Sequence, residues 1–206
     1  MVTAAVARNV GFTSSRMLAR LGAESETLLD IVDDELVGSL IKPTRSAYRY
    51  MLARIYGFEA PVGTALLLAP NLDANFGRPR IRSGRLAADL IALTIAPAEQ
   101  ALLSRRHPVP VIRSAGEALG WLYVLERLAQ RVAPLTRHLY DRLPAEILAA
   151  GSYLQSASEI SLFGLGDALD LLARTNAMAD RIAAGANAGF RSMHTWLTAT
   201  PPWDGF

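Results

Sequence analysis

The stretch Ser114-Ala-Gly-Glu-Ala-Leu-Gly-Trp-Leu-Tyr-Val-Leu-Glu-Arg-Leu-Ala-Gln-Arg-Val132 decides the fold class. Leu119, Leu122, Leu125 and Val132 recur at helical spacing, and no proline interrupts them. The helix starts near Ser114, and Pro134 kinks or stops it. Toward the N-terminus, Pro108 and Pro110 break the chain, after shorter helices expected over Leu86–Ile95 and Ala98–Arg105. Before them, proline and glycine among Asn, Asp and Arg predict a loop from Pro70 to Ser83. Tyr48, Met51, Leu52, Ile55 and Phe58 form one stripe of a second helix, which Pro61 kinks or ends before a last turn or two through Leu68. Pro43 and Thr44 mark the break and cap before it. The first helix is capped by Ser14 or Ser15 and carries Leu21, Leu28, Val32, Leu36 and Leu40.

Toward the C-terminus, Pro144 suits the first position of a helix, and Gly151 and Gly164-Leu165-Gly166 punctuate the final third of the chain. Asp167 opens a final helix that continues to Leu197, with or without an interruption at Gly185 and Gly189. No segment alternates with period two over a strand's length, no repeat recurs, and no linker stands out. These features predict an all-α, single-domain multi-helix bundle spanning 1–206, with about seven or eight helices and flexible tails at 1–13 and 199–206.

Apolar residues make up 51% of 206 residues, and the net charge is +2 with both signs interleaved. A folded core is expected, and a nucleic-acid partner is not. The basic segment Arg78 to Arg85, set among Gly and Pro without aromatic partners, reads as a solvated loop. Cysteine is absent, which removes disulfides and thiolate chemistry. The longest apolar run, Ala65 to Pro70, falls far short of the roughly 20 residues of a membrane span. Met1 to Ser15 does not read as a signal peptide, so a cytoplasmic location and no membrane partner are expected.

Two stretches resemble the bacterial haem oxygenase family, whose members open haem to biliverdin. Tyr48-Arg-Tyr-Met-Leu-Ala-Arg-Ile-Tyr-Gly-Phe-Glu-Ala-Pro61 is similar to the aromatic-rich second-helix signature ending in Tyr-Gly-Phe and then Pro. Gly116-Glu-Ala-Leu-Gly-Trp-Leu-Tyr-Val-Leu-Glu126 is similar to the run into the distal helix. With Leu21 to Asp33 and Phe190 to Leu197, the likeness touches most of the chain, and Trp121 to Glu126 is its specific part. The resemblance implies a proximal His on the first helix and a Gly-Ser-x-x-Gly-Gly segment crossing the distal haem face.

Residue by residue, both features depart from the pattern. Counted back from Tyr56 or forward from Leu21, the proximal slot falls on Leu29, which has no lone pair for iron; Glu26, Asp30 and Asp33 nearby are not usual axial ligands. The distal segment reads Arg127-Leu128-Ala129-Gln130-Arg131-Val132, where glycines would let the backbone approach a porphyrin. Arg127 and Arg131 share one helical face, and Leu128 and Val132 the adjacent one.

Three readings are open. The first is a haem-oxygenase-like pseudoenzyme with no cofactor, binding an anionic small molecule such as a bilin through inward Arg127 and Arg131, or binding a protein. The same two arginines could instead point to solvent or pair with Glu126 or a first-helix carboxylate. The second is an active, biliverdin-producing enzyme that holds haem through an unconventional ligand such as His138 and needs reductant and oxygen. His107 and His194 read as solvated. The third is a structural or regulatory interaction protein, using the breaks at Gly164, Gly166, Gly185 and Gly189 with Phe163, Phe190 and Trp196. Those residues could equally be helix ends and core anchors. No Glu-x-x-His, Ser-His-Asp arrangement or phosphate-binding glycine loop supports another chemistry.

Overall fold

Ser15, Thr44 and Ser114 open the three helices that organise the computed structural model, which describes residues 15–159 and 162–199. Their hydroxyl oxygens accept from the amides of Leu18 (3.1 Å), Ala47 (3.1 Å) and Glu117 (3.2 Å). The helices are α1 (Arg16–Val32), α2 (Arg45–Leu67), α3 (Ala74–Gly77), α4 (Ser83–Ala92), α5 (Pro97–Leu102) and α6 (Ala115–Val132). They continue with α7 (Leu135–Arg142), α8 (Pro144–Ala150), α9 (Ser152–Ser158), α10 (Phe163–Leu172) and α11 (Asn176–Ala199). The fold is an all-α bundle, and no strand occurs among the described residues. The tail expected at 1–13 lies outside the described residues, as does that at 199–206 beyond Ala199.

The described residues carry eleven α-helices where seven or eight were expected. The excess comes from short pieces. The predicted loop Pro70–Ser83 contains α3 and a 3-10 turn over Arg78–Arg80, and α8 and α9 are split at Gly151. After Val32 the first helix widens into a π-helical turn, Asp33–Val37, and then tightens over Gly38–Leu40.

The C-terminal reading needs a larger correction. The helix expected from Asp167 starts at Phe163 and ends at Leu172, and α11 then runs through Gly185 and Gly189 without a break. Those glycines answer to a partner rather than to the local backbone. A Cβ on Gly185 would lie 2.5 Å from the Glu117 carbonyl oxygen, and one on Gly120 would lie 2.5 Å from the Ala186 amide nitrogen. The backbones of α6 and α11 therefore meet at a distance only glycine permits. Around this crossing, residues 118–126 of α6 are all buried, and the Tyr123 ring meets Phe190 edge-on with centroids 6.0 Å apart.

Pro61 neither ends nor divides α2. It lacks the N–H that would bond the carbonyl of Gly57 four residues earlier, and that freed carbonyl accepts the Arg106 amide at 2.9 Å. Gly57 completes the notch. A Cβ there would fall 2.5 Å from both the Ser104 carbonyl oxygen and the Trp196 ring. The loop after α5 is thereby docked on α2 and α11.

Candidate functional site

Leu29 of α1 is wholly buried, as are Leu128 and Val132 of α6. Ion pairs join the two helices. Arg127 Nη2 lies 3.0 Å from Glu26 Oε2, while Arg131 Nη2 lies 3.4 Å from Glu26 Oε1 and 3.4 Å from Asp33 Oδ2. Asp30 adds a longer contact to Arg131 at 3.8 Å. Of the orientations open to the two arginines, the structure takes the one toward the first-helix carboxylates. The guanidinium groups that link α6 to α1 are thus engaged within the chain.

His138 takes no part in these pairs; its Nε2 is 3.1 Å from the Leu40 carbonyl oxygen. His194 is exposed, and His107 lies in the docked loop. No group of three or more His, Cys, Asp or Glu among the described residues is arranged to hold a metal. Phe190 and Trp196 are core side chains; that of Phe163 lies outside the described residues.

A buried polar network on the other side of α6 was not foreseen. Glu59 and Glu126 both emerge from apolar helix faces and are sealed from solvent, and a buried carboxylate needs a partner. Arg82 Nη2 bonds Glu126 Oε2 at 2.9 Å, Arg80 Nε stands 3.6 Å from Glu126 Oε1, and Tyr153 Oη donates to Glu59 Oε1 at 2.9 Å. Asp89 accepts from the Ser152 and Tyr153 amides and the Ser152 hydroxyl. The segment Arg78 to Arg85 is therefore not a simple solvated loop. Arg82 is only 7% exposed, and the Arg80 guanidinium lies 3.8 Å from the centroid of an aromatic ring, Phe76. The sequence signal was the pair of acidic residues inside otherwise apolar faces. Burial pushes Glu59 up to about 7, against the pull of Arg82 and the Tyr153 hydrogen bond. Burial raises Glu126 as well, with Arg82 opposing.

Two clefts flank the docked loop. One, of about 600 Å³, is lined by Arg105, Arg106 and His107 on the loop and by Arg191, Ser192 and Trp196 on α11. The other, of about 470 Å³, shares Arg105 and His107 and extends along Tyr56, Ala60, Pro61 and Thr64. A smaller cleft of about 260 Å³ opens over the Arg82–Glu126 pair. None of the three is lined by Leu29, Arg127, Leu128, Arg131 or Val132.

Fold and side chains together define an all-α bundle with α1 and α6 bridged by ion pairs, a buried carboxylate–arginine network and cationic surface clefts. No helix among the described residues is long and apolar enough to cross a membrane. No family model, curated protein or solved structure matches the chain.

Proposed function

We propose that the chain is a haem-oxygenase-like protein that has lost haem binding and haem cleavage and acts by binding a small anionic molecule or a protein partner. One observation carries this reading. The slot that the motif counting assigns to the proximal ligand holds Leu29 at zero exposure, and Arg127 and Arg131 of the distal segment are ion-paired to Glu26 and Asp33 on either side of it in sequence. Iron needs a donor atom, and a porphyrin needs a gap between proximal and distal helices. Here the donor is replaced by a hydrocarbon, and the distal glycines by side chains that bridge to the opposite helix. The alternative, a biliverdin-forming enzyme with another axial ligand, has little to draw on, since His138 is directed at the Leu40 carbonyl.

Turnover tests it. Purified protein mixed with haemin and ascorbate in air should leave the haemin spectrum decaying no faster than in a protein-free control. Formation of a biliverdin spectrum at a rate proportional to protein concentration would overturn the proposal.

A further inference from the structure

Only some of the arginines among the described residues are ion-paired. Arg20, Arg80, Arg82, Arg127 and Arg131 each have a carboxylate within ion-pair distance. Among those without one, Arg105, Arg106 and Arg191 converge on one cleft. Arg106 is the telling member. It is half-buried, its Nε donates to Ser192 Oγ and its Nη1 to the Pro108 carbonyl, and both acceptors are neutral. Burial lowers its pKa, and no carboxylate offsets that cost. Arg105 is held on the other side by Tyr56, whose hydroxyl accepts from Nη2 at 3.3 Å while the ring lies 5.5 Å beneath the guanidinium. Arg191 projects from α11 and is exposed.

This arrangement is built rather than incidental. The freed Gly57 carbonyl fixes the Arg106 backbone, and the Cβ-free face of Gly57 seats both the loop and Trp196. No Asp or Glu lines either flanking cleft. The second cleft continues from Arg105 over Ala60, Pro61, Ala87 and Val109, so a cationic pole opens onto a mostly apolar trough. A partly desolvated guanidinium without a counter-charge, as at Arg106, is matched by carboxylate, sulfonate or phosphate oxygens, which accept its N–H groups in charge-assisted bonds. The exposed Arg105 and Arg191 add to the same positive pole.

We infer that the cleft between the Arg105–Pro108 loop and α11 binds an amphipathic organic anion, its carboxylate or phosphate held by Arg105, Arg106 and Arg191 and its apolar body lying along Ala60 and Pro61. The inference stands independently of the haem reading, and the probes that test it contain no iron.

The probes are 1-anilinonaphthalene-8-sulfonate, followed by its fluorescence, and inorganic phosphate, followed by the melting temperature against chloride at equal ionic strength. The wild-type chain should bind the sulfonate saturably and be stabilised by phosphate. R106Q and R191Q should each weaken sulfonate binding about tenfold and abolish the phosphate shift. A60W, which fills the trough, should weaken only the sulfonate. R45Q, an exposed arginine away from the cleft, should change neither. Should R106Q fail to fold, R191Q carries the test, because its exposed side chain makes no ion pair among the described residues. Absence of binding by the wild type, unchanged binding in R191Q, or an equal loss in R45Q would overturn the site.

Discussion

Helix α6 joins its neighbours in two opposite ways. Its first half meets α11 backbone to backbone at Gly120 and Gly185, with no room for a methyl group. Its second half meets α1 through ion pairs of Arg127 and Arg131 with Glu26, Asp30 and Asp33. The first seam is set by shape and tolerates almost nothing. The second is rimmed by half-exposed charges, whose individual contributions water and salt reduce. The resemblance implied glycines in the second half of this helix, to admit a porphyrin. In this chain the glycines of α6 lie in its first half and admit another helix.

That difference predicts a graded response. Gly120→Ala should be the most damaging single change, costing about 3 kcal/mol in urea unfolding, since its Cβ meets α11 backbone rather than a movable side chain. A loss below roughly 1 kcal/mol would show that the seam can slide apart, and the close-packing account would fail.

Next is pH. Glu59 is raised from 4.5 to about 7, so the folded state holds a proton that the unfolded chain has already released. Its favourable contribution is complete below pH 4.5 and is lost as pH climbs through 7, a difference of up to roughly 3 kcal/mol. E59Q should therefore be more stable than wild type at pH 8 and close to it at pH 5, with Tyr153 still donating to the retained oxygen. Equal effects at both pH values would mean that Glu59 does not change its protonation state between them and is not raised to about 7.

On the charged seam, E26Q removes the carboxylate shared by Arg127 and Arg131 and should cost about 0.5–1 kcal/mol at low salt, fading as sodium chloride is added. A salt-independent loss would indicate that packing was disturbed instead. The smallest effect belongs to Gly84, in the first turn of α4. Nothing lies within 4 Å of a Cβ placed there, so G84A should raise stability by about 0.5 kcal/mol. A decrease would contradict those open surroundings.

The same contrast explains what could be read from the sequence. The starts of α1, α2 and α6 were legible because a serine or threonine hydroxyl and its amide partner lie within one turn of chain. So was the all-helical class, from the spacing of Leu119, Leu122 and Leu125. Gly185 and Gly189 left an interruption open, because the same residue serves a helix end and a close crossing, and only the partner helix decides which. Pro61 left open a kink or a stop, and it became a loop anchor through the carbonyl it released to Arg106. Arg82 reads as solvated until its distant partner, Glu126, is brought to 2.9 Å. For Arg127 and Arg131 the sequence supplied both orientations; the choice between them required knowing which face of α1 they meet.

The most direct test is equilibrium titration of haemin into the R106Q/R191Q double variant, which keeps the haem propionates from the cationic cleft and leaves the α1–α6 seam intact. With Leu29 in the position that the resemblance assigns to the proximal ligand and the arginines bridged to α1, the proposal predicts that no saturable Soret band develops. A one-to-one band with the spectrum of axially ligated iron would contradict the account.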